Sequence, residues 1–310
     1  MERKNVKRLV KHRPLYRIVK ASQRIHPPGC GGLSLYLVTK FFIRGIIDGT
    51  LNMRASALSF SFFLALFPSI IFLFTLIPYI PIENFQDYLF NLLQKVMPEA
   101  AFAATEGTIA DIIGNQRGGL LSIGFVTALY FSTNGFNAMI NAFNESYHDI
   151  ETRNALKQRI ASFYMLILTV LLISASIVLL IFGEFGMNKF EDNKVLFYLL
   201  SFLKWLVLGA LCYSIISFNY YLGPKRKKGW HFFSPGCTLA SILIILATII
   251  FTYYVNNFGN YNKLYGSIGT LIVILMLIYI NSLILLLGFD LNASIQIAQK
   301  HRASFSRYAK

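Results

Sequence analysis

Residues 118–144 read GGLLSIGFVTALYFSTNGFNAMINAFN, and no charge occurs between Arg117 and Glu145. Such a run is long and apolar enough to cross a bilayer as a helix. It nevertheless carries Asn134, Asn137, Asn141 and Asn144, preceded by Thr127 and Tyr130. Successive members of this set stand 3, 4, 3, 4 and 3 residues apart. At about 100° per residue they share an arc of roughly 100° on one helix face. Carboxamides facing lipid tails are costly, so this face is expected to look into protein or a wet cavity, as the inner wall of a helix bundle.

The rest of the chain has the composition of such a bundle. Of 310 residues, 55% are hydrophobic and only 14% charged, which excludes an ordinary soluble globule. The net charge of +15 admits a nucleic-acid reading. In a membrane protein it reads instead as basic loops beside anionic headgroups. Cys30, Cys212 and Cys237 have no CxxC spacing and imply neither a disulfide framework nor a zinc site. The N-terminus is basic through Arg24 and continues HPPGCGG, without the apolar core of a cleavable signal peptide.

Six spans are expected. Residues 1–32 form a basic cytoplasmic arm with interleaved Val, Leu and Ile, suited to a membrane surface. An RNA-binding arm would want an aromatic stacking platform, which is lacking. Leu33–Gly49 is short and contains Lys40, Arg44 and Asp48, as an interfacial or re-entrant helix would. Ala55–Ile77 is the first span, with Arg54 at its mouth and Pro68 inside. In the loop 78–117, Phe85, Leu89, Leu92, Leu93 and Val96 mark an amphipathic surface helix. Gly118–Asn144 is the second span and Ile160–Phe182 the third. Trp205–Leu222 suffices for the fourth, which puts Lys204 at the interface; a start at Val195 would draw Lys204 into the membrane. Phe232–Val255 is the fifth, with Pro235 in its first turn. A Gly/Asn/Tyr-rich turn over Asn256–Gly266 leads to the sixth, Ser267–Leu287, and residues 296–310 form a basic tail. The transmembrane domain is thus 33–295, all-α and polytopic. Of the 29 Lys and Arg, one side holds 23 and the other 5, with Lys204 left over. The positive-inside rule then places both termini in the cytoplasm.

Several spaced motifs resemble the YihY/virulence factor BrkB family over roughly residues 35–295. They are Arg54-Ala-Ser-Ala-Leu-Ser-Phe with Pro68 downstream, Gly118-Gly-Leu-Leu-Ser-Ile-Gly, Asn256-Asn-Phe-Gly-Asn-Tyr-Asn-Lys-Leu-Tyr-Gly-Ser-Ile-Gly and Leu287-Gly-Phe-Asp-Leu-Asn-Ala. Asn141, Asn144, Tyr147 and Glu151-Thr-Arg153 fit the same pattern. The resemblance implies a six-helix bacterial inner-membrane protein. It implies no ribonuclease, a label the family once carried, and brings lipid export or flipping as an activity proposed for some members. It also implies a charged residue near Asn134–Asn141, where this chain has amides.

Three functional classes follow. A transporter or flippase of a lipid or other amphiphile would use Tyr130, Asn134, Asn137, Asn141 and Asn144 as a polar path. Arg54, Asn257, Tyr261, Asn262, Tyr265 and Asp290 would then be gate or headgroup contacts. A non-transporting scaffold or envelope-maintenance protein would use the same amides as interhelical glue, and residues 257–269 as a plain hairpin. Charges near the cytoplasmic ends, Asp48, Arg54, Glu151, Arg153 and Asp290, form either a closing cluster or independent snorkelling groups. A membrane-tethered nuclease is the third class. The five histidines lack metal-ligand spacing, and no phosphate-binding GxxxxGK[ST] loop or GxSxG elbow occurs. No enzyme, metal or cofactor is therefore expected. The expected partners are membrane lipids, with anionic headgroups at the cytoplasmic face and no nucleic acid, and the sequence sets no oligomeric state.

Overall fold

The computed structural model describes residues 32–48, 50–79, 114–146, 153–188, 194–225, 232–257 and 260–308, with Ser22, Gln23, Ile25, Phe90, Glu106, Gly107 and residues 109–112. All but these few residues of the expected basic arm and of the amphipathic helix near residues 85–96 lie outside the described ones. Among the described residues seven long helices follow in order: α1 (Leu35–Asp48), α2 (Leu51–Leu76), α3 (Gly118–Glu145), α4 (Ala155–Asn188), α5 (Lys194–Leu222), α6 (Pro235–Asn257) and α7 (Asn260–Tyr308). A short 3-10 turn, Ile77–Tyr79, extends α2.

Helices prevail because a lipid environment offers no partner for a free backbone group. Hydroxyls inside them are absorbed the same way. Ser61 donates to the Ala57 carbonyl, Ser69 to Ala65 and Thr75 to Ile71, each one turn back. Helix α2 runs through Pro68 without interruption.

Among the described residues, five stretches are long and apolar enough to cross a membrane: Leu51–Tyr79, Ala155–Leu180, Val195–Leu222, Pro235–Tyr254 and Leu271–Gln299. The expected second span, now α3, is not among them, because its asparagines lower its apolarity. At 28 residues it measures about 42 Å, longer than a hydrocarbon core of about 30 Å. It is zipped antiparallel to α2 throughout. Arg54 meets Ala142, Phe62 meets Gly135 and Phe136, Phe72 meets Gly124, and Tyr79 meets Gly118.

Two other boundaries depart from expectation. Helix α5 starts at Lys194, and the apolar run at Val195. Lys204 therefore lies about 13 Å along that run, not at its mouth. Its ammonium is 5.8 Å from the Trp205 ring centroid, and its aliphatic stem packs on Gly183 of α4. The turn expected over Asn256–Gly266 is helix from Asn260 onward. Continuing the helix keeps backbone groups paired where a long turn would leave them bare. Helix α7 is 49 residues, about 74 Å, and so outreaches any bilayer core. It runs unbroken past residue 295, where the sequence marked the start of the tail. Helix α1 packs on that extension through Leu33, Val38, Ile295 and Ala298.

The long helices form three antiparallel hairpins, α2/α3, α4/α5 and α6/α7. Neighbouring hairpins also touch, α3 to α4, α5 to α6 and α7 to α2, which closes a ring. The buried core gathers at one end of this ring. It comprises Leu51, Ala55 and Leu58 of α2, Phe136, Met139, Ile140, Ala142 and Phe143 of α3, Met165 of α4, Ile216 and Tyr220 of α5, Cys237 and Ala240 of α6, and Ile284, Leu286 and Phe289 of α7.

Candidate functional site

Two polar constellations stand out, and both lie toward the packed end. The first joins the first and last spanning helices. Arg54 of α2 and Asp290 of α7 are 7% and 6% exposed. The guanidinium meets the carboxylate two-pronged, Nη1 to Oδ1 at 3.2 Å and Nη2 to Oδ2 at 2.8 Å. Nη1 also donates to the Ala142 carbonyl at 2.9 Å and to the Ser146 hydroxyl at 2.8 Å. Ser146 in turn donates to Asp290 Oδ1 at 2.5 Å. Ala142 lies in the last turn of α3, where carbonyls have no helical partner, so Arg54 caps that helix and complements its dipole. An isolated charge buried here would be costly; the mutual pairing is what makes the site tenable.

Aromatic rings seal the space beside this pair. Phe143 stacks on Phe289 at 4.1 Å, and Tyr220 meets both edge-on at 5.5 and 5.4 Å. The Tyr220 hydroxyl donates to the Leu285 carbonyl. Beneath them, α6 and α7 cross at Gly236 and Gly288. A Cβ on Gly236 would lie 2.0 Å from the Gly288 carbonyl oxygen, a separation only glycine permits. Asn292 bridges the crossing, accepting from the Gly236 amide and donating to Ser234.

The expected closing cluster is therefore drawn tighter. Arg54 and Asp290 meet, and Ser146 joins them, which the sequence did not signal. Arg153 goes elsewhere: it donates to the carbonyls of Leu222, Gly223 and Pro224 and caps the C-terminus of α5. Burial lowers its guanidinium from its ordinary value. Glu151 and the Asp48 side chain lie outside the described residues.

The second constellation is the asparagine face. It lies on the seam between α3 and the first turns of α4, while the opposite face of α3, with Phe136, Met139, Ile140 and Phe143, enters the core. Gln158 Nε2 donates to Asn137 Oδ1 and Asn141 Oδ1, both at 2.7 Å. Arg159 donates to Asn134 Oδ1, and its guanidinium sits 4.9 Å from the Tyr130 ring centroid. Asn134 and Asn137 are half-buried, Asn141 is exposed and Tyr130 is 56% exposed. Asn144 is buried, and its Oδ1 has no partner among the described residues. Reasoning from sequence missed Gln158 and Arg159. They stand just before the apolar run that opens at Ile160, where a basic residue reads as a loop charge, although Arg159 brings a charge to the uncharged Asn134–Asn141 stretch.

Of the remaining candidates, Asn257 ends α6, and Tyr261, Asn262 and Tyr265 open α7; their side chains lie outside those described. Among the described residues no three His, Cys, Asp or Glu come together as a metal site.

Comparison with known proteins adds the following. The sequence model of the family described as Virulence factor BrkB matches residues 42–309. The ribonuclease-like protein YfkH of Bacillus subtilis is 31% identical over 251 residues, covering 80% of this chain and 90% of its own. The UPF0761 membrane protein NTHI0384 of Haemophilus influenzae is 25% identical over 261 residues, covering 82% of this chain and 93% of its own. No solved structure matches.

Proposed function

Because this chain belongs to the virulence factor BrkB family and is a multi-pass membrane protein, we propose that it moves a lipid or other amphiphile across the membrane. The proposed setting is the bacterial inner membrane, with both termini in the cytoplasm. Tyr130, Asn134, Asn137 and Asn141 form the path for the polar part, continued by buried Asn144. Arg54 and Asp290 are the gate that holds the cytoplasmic end shut. Asn257, Tyr261, Asn262 and Tyr265 are proposed headgroup contacts at the opposite face.

One observation carries this reading: the amide seam is partly exposed along otherwise apolar helices. Packing glue has no need of exposure, whereas a headgroup that slides along a seam with its tails in lipid does. A scaffold is the second reading, and it has its own support. The oxygens of Asn134, Asn137 and Asn141 all accept from α4, as interhelical glue would. A nuclease, which the name of the B. subtilis relative invites, finds no clustered metal ligands among the described residues.

The test is scrambling of a headgroup-labelled phospholipid in proteoliposomes, comparing the wild type with an Asn137→Leu, Asn141→Leu double variant that remains folded. Protein-dependent movement that the variant loses is the expected result. Movement unchanged in the variant would remove the seam from the path, and no movement of any lipid class would favour the scaffold.

A further inference from the structure

The asparagine seam has a polarity that its residue types alone do not convey. Asparagine offers donors and an acceptor together. Here the three asparagine oxygens already accept from α4. A guanidinium can only donate, so Arg159 turns the Asn134 oxygen toward α4. Gln158 Nε2 does the same to the oxygens of Asn137 and Asn141. The three Nδ2 groups are left without an acceptor among the described residues. Arg159 likewise has no carboxylate partner among the described residues. The seam thus presents a cation and a row of N–H donors, with no carboxylate among its members.

A surface of donors around one arginine complements an oxyanion, and a guanidinium matches phosphate in particular. The surroundings select the kind of phosphate. Val126, Ile160, Phe163 and Ile167, on the same two helices, are exposed apolar side chains. Acyl chains satisfy such a border and a water-soluble phosphate does not. Arg159 also lies only about 6 Å from the start of α4, at the depth where a headgroup sits. We propose that the α3/α4 seam is a binding site for the phosphate of an anionic phospholipid, with Arg159 as its charged anchor and Asn134, Asn137 and Asn141 as its donors. This names the substrate class for the transport reading above and rests on that reading for its biological role.

Binding is measured first, apart from transport. Full-length protein in phosphatidylcholine nanodiscs is titrated with fluorescent phosphatidylglycerol and, separately, with fluorescent phosphatidylcholine. Phosphatidylglycerol is expected to bind with preference, and Arg159→Gln to weaken it about tenfold. Arg159→Lys, which keeps the charge but not the planar fork, is expected to fall between the wild type and Arg159→Gln. Asn134→Asp guards against misfolding: it gives Arg159 a carboxylate in place, so the same loss is expected with thermal stability held or raised. Equal binding of the two lipids, or indifference to Arg159→Gln and Asn134→Asp, overturns the proposal. So does full displacement by glycerol phosphate, which would assign the seam to a soluble phosphate. Scrambling in proteoliposomes then separates the two claims. Selective binding without lipid movement leaves the site standing and removes the transporter. Movement that ignores headgroup charge and Arg159 leaves the transporter standing and removes the site.

Discussion

The two ends of the bundle are made from the same helices and hold together by different means. At one end all three hairpins meet, through Arg54–Asp290, the Phe143–Tyr220–Phe289 rings and the Gly236–Gly288 crossing. At the other, apolar side chains such as Leu73, Val178, Val195, Phe202, Ile250 and Tyr253 stand exposed. Helices still pair there within hairpins, as Phe72 on Gly124 and Lys204 on Gly183 attest. Among the described residues no buried cluster joins the hairpins there. A bilayer tolerates that arrangement, because lipid tails solvate Leu as well as another helix does. Tight packing and polar bonds must therefore be placed where a seal is wanted. The packed end is also the end that carries the basic connections, which is why it is the end proposed to face the cytoplasm.

The largest effect is expected at the glycine crossing. Gly288→Val would drive a side chain into the Gly236 carbonyl, the Tyr220 hydroxyl and Ala240. Loss of folded protein is expected, beyond about 3 kcal/mol. The matched control is Gly209→Val, which has nothing within 4 Å and should shift stability by no more than about 0.5 kcal/mol. Thermal unfolding in detergent measures both, and equal losses would erase the contrast between the ends.

Next comes the ion pair. Arg54→Ala or Asp290→Ala leaves a buried charge alone and should cost about 3–5 kcal/mol. The double variant Arg54→Met, Asp290→Leu should be far closer to wild type, because the cost lies in the orphaned charge. If each single variant is neutral, the pair is solvated and closes nothing.

Tyr220→Phe removes one hydrogen bond to the Leu285 carbonyl and keeps the ring contacts. A loss of about 0.5–1.5 kcal/mol is expected by the same unfolding measurement. Smallest of all, Val195→Ala and Ile250→Ala at the open end should fall within about 0.5 kcal/mol. A larger loss would mean that another copy or partner covers that end, and would be accompanied by a shift in oligomeric mass.

Much of the architecture was legible without coordinates. Long apolar runs name membrane helices by length and composition, since the bilayer demands both. The basic loops gave an expected orientation, and the motifs gave the family, which the family match over residues 42–309 bears out. Helix ends were less legible. Polar residues in Asn256–Gly266 look like a turn, yet α7 takes in those from Asn260 onward, because continuity satisfies the backbone. Lys204 looked interfacial, yet its aliphatic stem has a glycine to lie on.

Periodicity put four asparagines on one face, and a helix wheel needs nothing more than spacing to do that. Only the tertiary structure decided where that face points: to the α4 seam, with the core on the other side. Arg54 and Asp290 stand 236 residues apart, and no local pattern can register a contact across that distance. Arg159, read as one more loop charge, became the partner of Asn134 for the same reason. Burial of a charge and the pairing of an amide are properties of neighbouring helices, and those neighbours are chosen by packing.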